Sequence, residues 1–149
     1  MNRALQAFVF ALALSLVTTT VAEAKAGGVP AIPLTTGQET GEVVSDGSGS
    51  FSYEISGNEL CYTLTVRDLT GAPVAAHIHI GARNVAGPVV VPLTTPPAAT
   101  SSVTACITAV EGGAMTPAEL AAIAANPSAY YVNVHTPTYP AGEVRGQLK

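Results

Sequence analysis

Short runs in which apolar and polar residues alternate, separated by glycine, proline and asparagine, dominate this 149-residue chain. Residues 50–55 and 59–67 both alternate in this way, and the Ser56-Gly57-Asn58 segment between them is typical of a hairpin turn. Alternation with a period of two places apolar side chains on one face, so each run predicts a half-buried β-strand. The predicted strands are 31–36, 50–55, 59–67, 74–80, 89–93, 101–108, 129–136 and 142–148.

One short helix is expected within this otherwise all-β chain. Thr116 can act as an N-cap, Pro117 suits the first helical position, and Glu119 completes a capping box. The helix should run to about residue 125, because proline at 127 disfavours helical backbone before it. Many short strands with a single helix predict an antiparallel β-sandwich or a partly closed barrel with Greek-key-like connections.

Polar side chains occupy alternate positions in three of the predicted strands. Residues that are two apart in a strand lie on the same face, so each strand divides into a polar side and an apolar side. Imidazole, amide and guanidinium groups concentrated in this way indicate a site rather than a merely solvated face. The polar positions are His77 and His79, then Asn133 and His135, then Glu143, Arg145 and Gln147.

The histidines of this polar row predict one kind of site, a metal centre. His77 and His79 would lie on one strand face, and His135 would join them from a neighbouring strand. Three neutral imidazoles with an open fourth position suit copper or zinc.

A network of hydrogen bonds among the same residues is the alternative, and the sequence favours it. Asn133, Glu143 and Arg145 can satisfy the histidines and nearby carbonyl groups, since buried polar groups without partners are costly. Such a network would hold the segment 83–88 in place, with an ion pair between Arg145 and Glu143 at its rim. A pocket for a small ligand or a glycan, built from the same residues, is a third possibility.

Catalytic machinery is not evident in the sequence, which favours a protein that is not an enzyme. No serine lies in a Gly-x-Ser-x-Gly motif, and no two carboxylates are closely paired in the manner of an acid–base dyad. General acid–base chemistry by Glu143 with a histidine remains the open catalytic alternative.

The N-terminal segment has the features of a signal peptide. Arg3 precedes an apolar run at 7–17, and Ala22-Glu23-Ala24 offers the small-x-small pattern before a cleavage site. Cleavage after Ala24, or alternatively after Ala26, would release one secreted or periplasmic domain of residues 25–149. The apolar run is shorter than the roughly 20 residues of a membrane span, so a retained anchor is the weaker interpretation.

Charge and cysteine content add to this interpretation. A net charge of −4 with no basic stripe argues against nucleic acid as a partner. Cys61 and Cys106 are the two cysteines of the chain, and an even number in an exported protein predicts a disulfide. Their separation lacks the close spacing of thiolate metal ligands.

Four ordered motifs in the chain resemble the CHRD domain family, named for chordin. They are AAHIH at 75–79, GPVVVPL at 87–93, YYVNVHT at 130–136 and PAGEVRGQL at 140–148, and the likeness extends over about 34–148. The resemblance implies an all-β extracellular module of a secreted, single-domain bacterial type. It implies little about activity, because the family has no single settled molecular function. We expect a binding or interaction module, whose partner would be an extracellular or envelope protein, a glycan or a metal ion.

Overall fold

The computed structural model describes residues 30–149, so the predicted signal peptide and its cleavage site lie outside the described residues. Every predicted strand is present, with bounds within two residues of the expected ones. The strands are β1 (Ile32–Thr35), β2 (Ser48–Ser56), β3 (Glu59–Arg67), β4 (Ala75–Ile80), β5 (Val89–Pro92), β6 (Ser101–Thr108), β7 (Tyr130–His135) and β8 (Val144–Gln147). The helix α1 runs over Pro117–Ala125, and 3-10 helices cover Thr36–Gln38 and Pro127–Ala129.

The eight strands form one antiparallel sheet in the order β5-β4-β7-β8-β1-β2-β3-β6. The sheet curls into a half-barrel, which agrees with the predicted all-β class. Strand β7 lies next to β4, although more than forty residues separate the two along the chain, and β8 pairs with the other edge of β7. This long-range pairing brings the three polar segments of the sequence side by side.

The hydrophobic core lies against one face of the curled sheet, where the apolar positions of the alternating strands converge. Leu60, Tyr62, Leu64 and Val66 of β3 are all buried, whereas the residues between them are more exposed. At about 25 cal/mol per Å² of apolar surface removed from water, this burial is the main stabilising contribution to the fold. Further core residues are Ile32, Leu34, Phe51, Ile78, Val132, Val134, Val144 and Leu148.

Helix α1 begins and ends at the predicted residues. The Thr116 hydroxyl accepts a hydrogen bond from the Glu119 backbone N–H at 3.2 Å, and the Glu119 carboxylate accepts one from the Thr116 N–H at 2.7 Å. Leu120 and Ile123 of the helix are buried, whereas Ala124 is exposed. No helix in the described part of the chain has the length and apolar character needed to cross a membrane.

The disulfide between Cys61 and Cys106 is present. The two residues lie directly opposite each other in the β3–β6 pair. They are on the outward face of the sheet, because their positions alternate with the buried residues of β3. Closing a loop over this sequence separation of 45 residues stabilises the fold by roughly 4 kcal/mol in the chain-entropy model. It also ties the edge strand β6 to its single neighbour.

Candidate histidine site

The strand register brings the predicted polar positions onto one face of three adjacent strands. His77 of β4 lies opposite Asn133 of β7, which in turn lies opposite Arg145 of β8. His79, Tyr131 and Gln147 form a second row in the same way, and these side chains share a face because residues paired across strands do. The polar face is covered rather than solvated. All six residues of β7 are buried, both those on the core face and those on the polar face.

The three histidines lie close together on this polar face. One ring nitrogen from each of His77, His79 and His135 lies within 4.8 Å of the others. The shortest separation is 3.2 Å, between His77 Nδ1 and His135 Nε2. His79 and His135 are buried, whereas His77 is partly exposed, so the cluster contacts solvent through His77.

Backbone carbonyl groups fix the tautomers of the two buried histidines. Nδ1 of His79 lies 2.9 Å from the Gly87 carbonyl oxygen, and Nδ1 of His135 lies 3.0 Å from that of Pro140. A carbonyl can only accept, so each Nδ1 carries the proton and donates it. Each Nε2 therefore carries a lone pair, and the lone pair of His135 accepts a hydrogen bond from His77 Nδ1 at 3.2 Å. Nε2 of His79 is buried and has no hydrogen-bond partner among the described residues.

Burial keeps the three imidazoles uncharged. Desolvation lowers the pKa of all three histidines, and it lowers the pKa of His135 from 6.5 to about 4. The neighbouring imidazoles of His77 and His79 lower the pKa of His135 further, because a second positive charge in the cluster would be unfavourable. The His135 ring is therefore neutral at neutral pH, with its proton on Nδ1 and none on Nε2, which is the form that binds metal ions.

Residues 81–88, called the cover loop below, connect β4 to β5 and lie over the polar face. The Arg145 guanidinium donates to the Val85 and Ala82 carbonyl oxygens at 2.9 and 2.6 Å. Gln147 donates to the Gly81 carbonyl oxygen at 2.8 Å. Of the residues expected to hold this segment, Arg145 bonds to the loop, whereas Asn133 bonds to Glu39 and Glu143 to hydroxyl groups elsewhere.

Gly87 is the closest point of contact between the cover loop and the sheet. A Cβ atom there would lie 1.6 Å from the carbonyl oxygen of Ile80, so no residue with a side chain fits. The Gly87 N–H donates to the Tyr131 hydroxyl at 3.0 Å while its carbonyl accepts from His79. The β4–β5 register shifts between Ile78 and His79, an irregularity of the kind that redirects side chains at functional sites.

A stack of three side chains connects the histidines to Arg145. The rings of His79 and Tyr131 are nearly parallel, at 7°, with centroids 4.9 Å apart. The Arg145 guanidinium carbon lies 3.3 Å from the centroid of the Tyr131 ring, a cation–π contact. Arg145 is only 1% exposed, so its charge remains unscreened by water on this side of the site.

Glu39 is an acidic residue that contacts this face. Both of its carboxylate oxygens accept hydrogen bonds from Asn133 Nδ2, at 2.9 and 3.0 Å. Burial raises the pKa of Glu39 to about 7, although the Asn133 hydrogen bond and the Arg145 charge act in the opposite direction. Asn133 Oδ1 is buried and has no partner among the described residues.

The expected ion pair between Glu143 and Arg145 is not among the contacts of residues 30–149. Glu143 is fully buried and accepts hydrogen bonds from the hydroxyl groups of Ser45, Thr70 and Thr136 instead. Burial alone would raise the pKa of Glu143, but these hydrogen bonds lower it. Glu143 precedes β8 and joins three loop segments, so it lies outside the network around Arg145 that the sequence indicated.

Two residues of the site were not predicted from the sequence. Tyr131 has the same strand parity as Asn133 and His135, so its position on the polar face could have been inferred. Glu39 had no such signal, because it follows the 3-10 helix Thr36–Gln38 in a loop whose path the alternation of residues does not reveal.

The shifted pKa values of His135 and Glu39 predict opposite effects of pH on the metal-free protein. The unfolded chain protonates His135 first, so the free energy of unfolding should fall as the pH drops from 6.5 towards 4. The folded chain protonates Glu39 first, so this residue should add stability as the pH drops from about 7 to 4.5. Urea unfolding at several pH values should therefore show a steeper loss of stability in Glu39→Gln than in the wild type. If stability fell with pH equally in the variant and the wild type, the raised pKa of Glu39 would be contradicted.

These features define an all-β domain with a buried three-histidine cluster beneath a loop. The chain belongs to the CHRD domain family, whose model matches residues 31–148. Membership supports, in general terms, an interaction module without catalytic machinery. No curated protein and no solved structure matches the chain significantly.

Proposed function

We propose that this CHRD domain is an exported binding protein whose ligand is a copper or zinc ion held by His77, His79 and His135. The observation that carries the proposal is the buried, unpartnered Nε2 of His79. A polar atom without a partner in the interior costs free energy, and a metal ion bound to the lone pair would remove that cost.

The geometry of the cluster supports the same ligand. Two imidazole nitrogens about 2.0–2.1 Å from one ion, at a tetrahedral angle, lie about 3.4 Å apart. The 3.2 Å separation of His77 Nδ1 and His135 Nε2 is close to this value. Histidines that bind metals usually donate their other N–H to a carbonyl or carboxylate, as His79 and His135 do here with backbone carbonyls.

The polar network and the metal ion are compatible in this proposal. In His79 and His135 the Nδ1 atoms hold the surrounding backbone, and the Nε2 atoms remain for the ion. The ion would replace the hydrogen bond between His77 Nδ1 and His135 Nε2, with the His77 proton carried on its Nε2 instead. The function is therefore metal binding by a preorganised site on a rigid sheet, without a catalytic step.

Export is part of the proposal. The disulfide between Cys61 and Cys106 is typical of proteins that fold in an oxidising compartment. The signal-peptide pattern in the first 24 residues supports the same location, with residues 25–149 as the released domain. A periplasmic or extracellular location would expose the site to metal ions outside the cytoplasm.

Replacing His135 by asparagine tests the site. The asparagine amide can still donate to the Pro140 carbonyl, whereas the Nε2 lone pair is lost. We expect wild-type protein to bind one equivalent of Zn²⁺ or copper, and His135→Asn to bind at least about 100-fold more weakly. The metal-free variant should lose no more than about 1 kcal/mol of stability, since its backbone contact is retained.

Glu59→Gln is the matched control for metal that binds elsewhere. Glu59 lies with the disulfide on the outward face of β3, several strands from the histidines, and is the acidic member of the other cluster of potential ligands. This variant should bind metal like the wild type. Equal binding by His135→Asn and wild type, or no uptake by either, would refute the proposed function.

A further inference from the structure

We propose, on the basis of the metal site above, that the triad takes copper in its cuprous, singly charged form in preference to Cu²⁺ and Zn²⁺. Two properties of the site carry this inference, namely the charges around the triad and the number of ligands that it offers.

The first property is the positive charge near the triad. The cluster itself consists of three neutral imidazoles and includes no carboxylate or thiolate. The Arg145 guanidinium lies behind Tyr131, no more than about 8 Å from the His79 ring, given the centroid distances of 3.3 and 4.9 Å. Arg83 of the cover loop adds a second cation that acts on Arg145, and Glu39 is the acidic group that acts on it.

Repulsion by these cations depends on the charge of the ion. Coulomb energy is proportional to that charge, so the repulsion between Arg145 and a divalent ion is twice that for Cu⁺. Burial of Arg145 reduces the screening by water and salt, which makes the difference larger than it would be at the surface. The site therefore selects against divalent ions.

The second property is the low number of ligands. Cu²⁺ favours square-planar or tetragonal sites with four or more nitrogen and oxygen ligands. The cluster provides three nitrogens, and two of its rings are buried and fixed by backbone carbonyls. The number of ligands therefore disfavours Cu²⁺, and the charge of Arg145 disfavours both divalent ions.

Competition with a chromophoric chelator under anaerobic conditions tests the preference, using the full exported chain with Cu⁺, Cu²⁺ and Zn²⁺ as probes. We expect Cu⁺ to bind at least about 100-fold more tightly than either divalent ion. Tighter binding of Cu²⁺ or Zn²⁺ than of Cu⁺ would overturn the inference while leaving the proposed metal site intact. Absence of any binding that depends on His135 would overturn both.

Glu39→Gln tests the electrostatic cause separately. At about pH 8 the variant removes one negative charge that attracts cations. The affinity should therefore fall about threefold for Cu⁺ and about tenfold for Zn²⁺. The second factor is roughly the square of the first, because doubling the charge doubles the interaction energy. Glu59→Gln, several strands away from the histidines, should change neither affinity. An equal loss for both ions in Glu39→Gln would reject the electrostatic cause and with it the inference.

Discussion

Gly87→Ala should destabilise the protein by about 3–4 kcal/mol and greatly weaken its metal binding. The new methyl group would lie 1.6 Å from the Ile80 carbonyl oxygen, a backbone atom that cannot rotate away. The cover loop must therefore move. That movement breaks the hydrogen bonds of Gly87 with His79 and Tyr131 and disturbs the bond from the Ile80 N–H to Pro88, each worth about 0.5–1.5 kcal/mol.

The effect on metal binding has the same origin. Without the Gly87 carbonyl, Nδ1 of His79 loses the acceptor that fixes its tautomer and ring orientation, and loss of such a contact typically weakens a metal site by about 10–100-fold. Urea unfolding and metal titration of the same variant measure the two effects together.

Gly41→Ala provides the control for the general effect of replacing a glycine. A Cβ at Gly41 would meet no atom within 4 Å, so this variant should differ from the wild type by less than about 1 kcal/mol. If the Gly41 and Gly87 variants were equally stable, the tight contact between Gly87 and the Ile80 backbone would be refuted.

Strand positions and the composition of the polar face could be predicted from the sequence because alternation is a local property. His77, Asn133 and Arg145 share a face for the same reason that Ile78, Val132 and Val144 share the core. The strands must pair so that their apolar side chains lie on the same face of the sheet. A register shifted by one residue would place His79 in the core.

Contacts made by loops could not be predicted in this way. Glu39 reaches Asn133, and Ser45 reaches Glu143, across more than ninety residues of sequence. The path of these loops depends on which backbone groups remain unpaired once the sheet has formed. The same limitation explains the wrong expectation for Glu143: parity placed it beside Arg145, but hydroxyl groups from other loops satisfy it.

The outward position of the disulfide illustrates a second limit. Cys61 and Cys106 lie in strands with buried faces, yet both belong to the opposite parity, which the alternation with Leu60 and Tyr62 already indicated. A disulfide needs only directly opposed residues, so it can stabilise the sheet from its outer surface.

Arg145→Met should have the largest effect on stability, a loss of about 4–5 kcal/mol. Methionine occupies much of the volume of the arginine stem, but it cannot donate to the Ala82 and Val85 carbonyls. Hydrogen bonds from a charged donor contribute at least about 1.5 kcal/mol each, and a desolvated cation–π contact such as that with Tyr131 contributes about 2 kcal/mol. The total is a large part of the 5–15 kcal/mol that usually stabilises a domain.

Arg83→Met is the matched control, because this arginine belongs to the cover loop but its side chain is exposed and makes one long hydrogen bond, of 3.4 Å, to Gln38. Its loss should cost less than about 0.5 kcal/mol in urea unfolding. Hydrogen exchange would locate the damage: in Arg145→Met, protection should fall at the Gly81 and Gly87 amides, which bond to Ala129 and Tyr131. Unchanged protection at both amides, with the same stability as Arg83→Met, would mean that Arg145 does not hold the cover loop over the histidines.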